Sequence, residues 1–373
     1  MGESNMTINV TQPSLPPLNE FSEKLQEIWE SKWLTNGGRF HQELEVALAE
    51  YLGVKYVSLF CNGTMALLAG LKALGITGEV ITTPFTFVAT SHAIKWNNCK
   101  PVFCDIDPVS FNLDPKKIES LITEKTQAIL PVHVYGNPCD VDALNSIAKK
   151  HNLKIFYDAA HAFGVEKDGK SILTEGDLSM VSFHATKVFN TIEGGALITN
   201  CPETKKKIDH LKNFGFEGEE SVVEIGINGK MNEVQAAFGL VQLKYIEEQI
   251  ARCRVLSNFY KEQLSNIPGI DTMLELQSIK YNYSYFPILV DKSLFGVSRD
   301  ELYDILKTHG ILTRKYFYPL VSNFRCYSQE AINSDEDLKV AKDISSKILC
   351  LPIYSDLLDS EASFIVDMIR KLK

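Results

Sequence analysis

The stretch "SFHATKVFNTIEGGAL", Ser182 to Leu197, sets one lysine, Lys187, between a small polar cluster (Ser182, His184 and Thr186) and an acidic double glycine (Glu193, Gly194 and Gly195). An amine in a mostly apolar run is either a solvated residue on a turn or a buried group kept for chemistry. The flanks carry the fold. "LSMVSF" before the lysine and "GALITN" after it are two apolar, strand-forming runs with no helical pattern between them. The glycines behind the lysine predict a tight backbone path.

Outward from this pair, the chain from about Lys55 to Asn200 alternates short apolar runs with helical patterns. "KYVSLF" reads as a strand, and "TMALLAGLKALG" as a helix with Leu67, Leu68, Leu71 and Leu74 on one stripe. The strands "EVITTP", "KPVFCDI" and "QAILPV" are each followed by a helix, "FVATSHAIKWNN", "DPKKIESLI" and "DVDALNSIAKKH", before the strand "LKIFYD". Such alternation predicts an α/β domain whose mainly parallel sheet is covered on both faces. Beyond it, Met231 to about Leu264 reads as one long connecting helix. "YNYSYFPILV" reads as a strand, and "SRDELYDILKTHG" and "EDLKVAKDISSKILCLP" as helices. The expected organisation is a large domain over 15–245 and a smaller α+β domain over 246–373.

The totals narrow the function classes. A chain of 373 residues, 45% hydrophobic and 23% charged, is that of an ordinary globular protein. A net charge of -9 and a pI near 5.5 argue against nucleic acid or an anionic membrane as partner. A local basic pocket for a phosphorylated ligand stays compatible with that balance. The eight cysteines include no C-x-x-C pair; Cys61, Cys99, Cys104 and Cys350 read as small buried hydrophobes in a reducing compartment. "MGESNMTINV" has neither a basic n-region nor an apolar h-region, and no apolar run approaches the ~18 residues of a membrane span. A cytoplasmic location is expected.

In an open α/β sheet, ligands bind off the carboxyl ends of the strands. In "LFCNGTMALL", Asn62, Gly63 and Thr64 close a strand and open a helix, which is either an ordinary capped turn or an anion site. In "IFYDAAHAFG", Asp158 ends an apolar strand, where a carboxylate needs a cation or donor, or serves as an N-cap. Lys187 follows the next strand. No G-x-G-x-x-G or G-x-x-x-x-G-K motif offers another phosphate site. One cofactor needs all three features: pyridoxal phosphate takes an anion cradle, a Schiff-base lysine and a carboxylate on its pyridine nitrogen.

At this point the motifs "NGTMALLAGLKALG", "TTPFTFVATSHAI", "PVFCDID", "DAAHAFG", "SFHATKVFNTIEGGALIT" and "GINGKMNEVQAAFGL" together resemble the DegT/DnrJ/StrS family of sugar-nucleotide aminotransferases. The resemblance runs from about Trp33 to the C-terminus. It implies the fold of the fold-type I pyridoxal-phosphate transferases, like aspartate aminotransferase, with no metal. It makes Lys187 the cofactor's lysine and Asp158 the partner of the pyridine nitrogen. It places His161, where many members carry Gln, near the cofactor's phenolic oxygen, Phe87 on the ring, and Gly63, Thr64 and Ser182 at the phosphate. Asn228, in "GINGKM", would reach the cofactor phosphate of a neighbouring subunit, so a homodimer with shared sites is implied. Lys230 stands where Arg is more usual.

For substrate, "WLTNGG" with Trp33, Thr35 and Asn36, and "RKYFYPL" with Arg314, Tyr316 and Tyr318, read either as sugar-nucleotide contacts or as surface loops. The resemblance implies transfer of an amino group from L-glutamate to a nucleotide-linked ketosugar, with Lys187 as base and then acid. "SFHATK…EGG" resembles members that aminate C4″ of a 4-keto-6-deoxyhexose more than the C3″ group. That leans to dTDP-4-amino-4,6-dideoxy-D-glucose, for a surface polysaccharide such as an O-antigen. The alternatives are C3″ amination of a dTDP-3-keto-6-deoxyhexose and, in another class, a non-catalytic cofactor-binding regulator.

Overall fold

The computed structural model describes residues 7–327 and 337–373. Seven strands form the main sheet: β1 (Tyr56–Phe60), β2 (Glu79–Thr82), β3 (Lys100–Phe103), β4 (Thr126–Leu130), β5 (Lys154–Asp158), β6 (Leu178–Ser182) and β7 (Gly195–Thr199). Their order is β1-β7-β6-β5-β4-β2-β3. β7 is antiparallel to both of its neighbours, and every other pairing in the sheet is parallel. That reversal is what two consecutive strands joined without a helix require. It brings the amino end of β7 to the carboxyl ends of β6 and β1, where Gly195 pairs with both Ser182 and Phe60.

The strands are buried nearly along their whole length because helices cover both faces. On β7 the period of two shows directly. Ala196 and Ile198 join a core with Leu44, Leu48, Leu59, Phe163 and Val181, whereas Leu197 joins Leu67, Leu71, Phe156 and Met180 on the other face. A second sheet of β8 (Ile270–Thr272), β9 (Phe286–Val290) and β10 (Ile348–Leu351) is antiparallel. It packs with the helices Arg299–Thr308 and Asp359–Arg370 around Tyr260, Ile288, Leu302, Leu351 and Ile365. Ile8, bridged to Ile311, sits in this same core.

Several elements differ from the sequence expectation. The long connector is two helices, Glu233–Leu243 and Ile246–Leu264. The break at Lys244 and Tyr245 lets the second helix leave the first core: Ile246 and Ile250 still pack there, but Cys253, Leu256 and Leu264 pack in the second. The run 336–352 was expected to be all helix; its first residue lies outside the described residues. Its helix, Lys339–Lys347, stops where Ile348–Leu351, buried throughout, takes the edge of the second sheet as β10. "DPKKIESLI" makes only a short helix, Pro115–Ile118, passing into a 3₁₀ turn. "YNYSYFPILV" is extended only from Phe286 to Val290. On the stripe after β1, Leu67 and Leu71 are buried and Leu68 and Leu74 half-buried. All eight cysteines are free; Cys99, Cys104 and Cys350 are buried as expected, and Cys61 is half-buried.

The double glycine works by proximity, not by conformation. Neither Gly194 nor Gly195 has a left-handed φ, which falls instead on Ile192 at 69°. A Cβ on Gly194 would lie 2.0 Å from Thr191 Oγ1, and one on Gly195 2.7 Å from the backbone N and Cα of Gly63. A Gly195→Ala chain should therefore lose about 1–3 kcal/mol of unfolding free energy through overpacking alone. Chemical denaturation checks this, and a midpoint equal to the parent's would refute the close approach.

Candidate active site

A cavity of about 320 Å³ opens at the carboxyl edge of the main sheet. Asn62, Gly63 and Thr64 reach it from the end of β1, Asp158 and His161 from β5, and Ser182 and Lys187 from β6. Phe87, 59% exposed at the N-cap of the helix Val88–Trp96, supplies an aromatic face to the wall. Eight sequence-predicted residues from distant parts of the chain thus line one cavity: Gly63, Thr64, Phe87, Asp158, His161, Ser182, Lys187 and Tyr316.

The first motif is a capped turn that also faces the cavity. Asn62 caps the eleven-residue helix Gly63–Ala73, its Oδ1 accepting the Met65 N–H at 2.9 Å, and the same turn lines the cavity. The positive end of that helix therefore meets the cavity wall, as an anion site requires. Gly63 makes room: a Cβ there would lie 3.2 Å from the Ser182 Cβ.

Asp158 is 4% exposed and caps no helix. One oxygen accepts the Ala160 N–H at 3.1 Å and the other the Thr90 hydroxyl at 2.7 Å. Thr90 in turn is 2.9 Å from the Thr86 hydroxyl, so Thr86 donates to Thr90. Burial pushes the Asp158 carboxyl up, and these donors and the Lys187 charge only partly offset it. A carboxylate has room for about four hydrogen bonds. With two protein donors on it and the cavity beside it, Asp158 suits a cationic N–H from a ligand.

Lys187 lies on a turn, its N–H bonded to the His184 carbonyl at 2.8 Å, but its amine turns inward and donates to the Tyr285 hydroxyl at 3.0 Å. Burial brings its pKa down to about 8, against the pull of the Asp158 charge. His161 accepts the Tyr135 backbone N–H on Nδ1 at 3.1 Å, so its proton sits on Nε2. Burial, and then the Lys187 charge, hold it well below the usual histidine range, so the ring is neutral. Glu193 and His184, 3.5 Å apart, stand on the more exposed part of the wall.

The other expected residues lie elsewhere. Trp33, Thr35 and Asn36 are exposed beside the start of the helix Glu233–Leu243, where the Leu34 carbonyl accepts the Glu233 N–H at 3.0 Å. Asn228 is exposed and accepts the Lys230 amine at 2.9 Å, and that amine lies 4.8 Å from the Phe214 ring centre. Arg314 is exposed, and Tyr318, 51% exposed, stacks with the Arg299 guanidinium at 4.6 Å; neither lines the cavity. Sequence reasoning missed Thr86, Thr90 and Tyr285. The i, i+4 spacing of the two threonines at a helix start was a signal for the first pair; Tyr285 lay in a run read only as a strand.

Comparison with known proteins gives the chain its relatives. The model of the DegT/DnrJ/EryC1/StrS aminotransferase family matches residues 18–370. The dTDP-4-amino-4,6-dideoxy-D-glucose transaminase of Shigella dysenteriae is 52% identical over 98% of this chain and 99% of its own length. The protein of that name from Escherichia coli is 52% identical over 95% of each. The solved structure of DesI in the presence of its TDP-sugar product superposes with a TM-score of 0.94, at 34% identity, over 99% of this chain and 94% of that one.

The amine offers a direct check. With a pKa of about 8, Lys187 is neutral and nucleophilic above pH 8, and about a tenth of it is neutral at pH 7. In cofactor-free protein, its labelling by an amine-directed reagent should rise through pH 8 and level off, while exposed lysines keep rising toward their ordinary pKa near 10.4. Peptide mapping reads both, and a Lys187 profile like that of the exposed lysines would contradict the buried setting.

Proposed function

Because the chain belongs to the DegT/DnrJ/EryC1/StrS aminotransferase family, we propose that it moves the amino group of L-glutamate to C4″ of dTDP-4-keto-6-deoxy-D-glucose. The products are the keto acid and dTDP-4-amino-4,6-dideoxy-D-glucose. The observation that carries the choice of sugar and carbon is the 52% identity over 98% of the chain to a transaminase of that name.

The residues fit pyridoxal 5′-phosphate: a helix start suited to an anion, a buried carboxylate facing the cavity and a half-buried lysine share one space. Lys187 would hold the cofactor covalently, Asp158 would bind its pyridine nitrogen, and Gly63, Thr64 and Ser182 its phosphate. Phe87 would cover the ring, and the Nε2–H of His161 would donate to the phenolic oxygen. When bound, the cofactor supplies a carbonyl that condenses with amines and a ring that takes up an electron pair. The chain's own work is proton handling. Lys187 Nζ takes the α-proton from the donor and gives a proton to the sugar carbon in the second half, base and then acid. Its pKa near 8 suits both directions around neutrality. Thr86 and Thr90 keep the Asp158 carboxyl oriented.

Tyr316, on the wall, is our choice for a sugar contact, with Arg314 and Tyr318 farther out toward the nucleotide. On the segment that bears Asn228 and Lys230, Phe214, Val222 and Ile225 are 48%, 61% and 88% exposed, an apolar surface that suits a second copy of the chain. In that homodimer Asn228 and Lys230 would reach the partner's cofactor phosphate, and Trp33, Thr35 and Asn36 would approach the sugar nucleotide. We divide the labour between a cofactor-binding part, 15–245, and a smaller part, 246–373. No helix among the described residues is long and apolar enough to cross a membrane, and we place the enzyme in the cytoplasm, supplying an aminosugar for a surface polysaccharide such as an O-antigen.

The test is a product assay with dTDP-4-keto-6-deoxy-D-glucose and L-glutamate, read by NMR. Nitrogen on C4″ is the expected result. Turnover only after a 3,4-ketoisomerase is added, with nitrogen on C3″, would overturn the assignment. Lys187→Ala should abolish turnover, and an unchanged rate in that variant would sink the mechanism.

A further inference from the structure

We propose that Tyr285 is a positioning residue of the amino transfer: its hydroxyl, hydrogen-bonded to the Lys187 nitrogen, holds that atom in place at the cavity wall. The inference rests on the reading of Lys187 given above. A neutral amine has two N–H groups and one lone pair, and only the lone pair can take a proton from carbon. A phenol hydroxyl can accept from the ammonium and donate to the amine. At 3.0 Å Tyr285 therefore stays bonded to the nitrogen in both states, and the atom that takes a proton and returns it keeps one place on the cavity wall.

The hydroxyl is held for this task from several sides. Its ring is 4.5 Å from the His161 ring and 5.6 Å from that of Tyr135. Two residues upstream of Ser284, the Asn282 side chain is 1% exposed and donates to the His161 and Phe163 carbonyls at 2.9 and 3.0 Å. Its Oδ1 takes the Ser284 N–H at 3.2 Å and the Ser284 hydroxyl at 3.0 Å. These bonds fix the approach to β9 against the loop after β5. Burial pushes the phenol up from its ordinary value, so it stays neutral. The lysine comes from the β6–β7 connection and the tyrosine from the residue before β9 of the second sheet, so the contact spans both halves of the molecule. The other titratable groups around the amine are Asp158, His161 and Tyr316.

The experiment is the glutamate half-reaction of the cofactor-loaded enzyme, followed by bleaching of its yellow colour, in the parent, Tyr285→Phe and Tyr285→His. Tyr285→Phe should bind cofactor with the parent's colour and thermal midpoint. Its maximal half-reaction rate should fall about 10- to 100-fold with half-saturation by glutamate unchanged, and the isotope effect with α-deuterated glutamate should grow. Tyr285→His, whose ring nitrogen can accept the same N–H, should recover part of the rate. A Tyr285→Phe enzyme with the parent's rate and isotope effect would overturn the proposal. So would one that loses colour and thermal midpoint together, which is a structural role. A parent that glutamate does not bleach would instead refute the amino-transfer reading itself.

Discussion

The constraint on which the cavity depends is the close approach of two backbones, Gly195 at the start of β7 and Gly63 at the end of the turn after β1. Because neither residue carries a side chain, the reversed strand can enter the sheet beside the start of the helix Gly63–Ala73. The connection that precedes β7 then stays at the carboxyl edge, and Lys187 with it. Were the strands spaced by a side chain here, Ser182 and the helix start would separate. The anion-binding turn and the amine would no longer share one cavity. The sheet order is in this sense set by contact distance and not by backbone strain.

Within that cavity, burial acts on three ionisable groups in three ways. It raises the Asp158 carboxyl, lowers the Lys187 amine and keeps His161 neutral. The carboxylate and the amine limit each other's shifts through their opposite charges, which is why neither moves as far as burial alone would take it. Elsewhere the chain buries charge with full compensation. Glu45 lies between Lys205 and Lys212, 3.0 Å from each, and also accepts the Leu59 N–H at 3.0 Å, and its carboxyl is held well below the usual range. The contrast is informative: Asp158 has donors but no such pair of cations, the arrangement expected of a group whose partner arrives with a ligand.

Much of this was legible in the sequence because the local signals and the tertiary demand coincide. Strand and helix periods between Lys55 and Asn200 agreed with burial, and Asn62, Asp158 and Lys187 stood at the ends of strands. What escaped were features decided by the second core. The break at Tyr245 has no proline or glycine to announce it; it exists because one helix must serve one core and the next two. Ile348–Leu351 continues a helical pattern but is claimed by a strand partner, β9. Tyr285 is invisible for the same reason, since its hydroxyl meets Lys187 only once the second sheet is placed against the first. Thr90 reaches Asp158 from 68 residues away, a distance no local pattern spans.

The Tyr135 amide on His161 Nδ1 has one more effect. It fixes which ring nitrogen carries hydrogen, and burial removes the alternative of a second proton. The imidazole is thereby a permanent donor, stripped of the switching for which histidines are usually kept. Deep in the cavity, then, the imidazole serves as an immobile dipole, indifferent to the buffer outside.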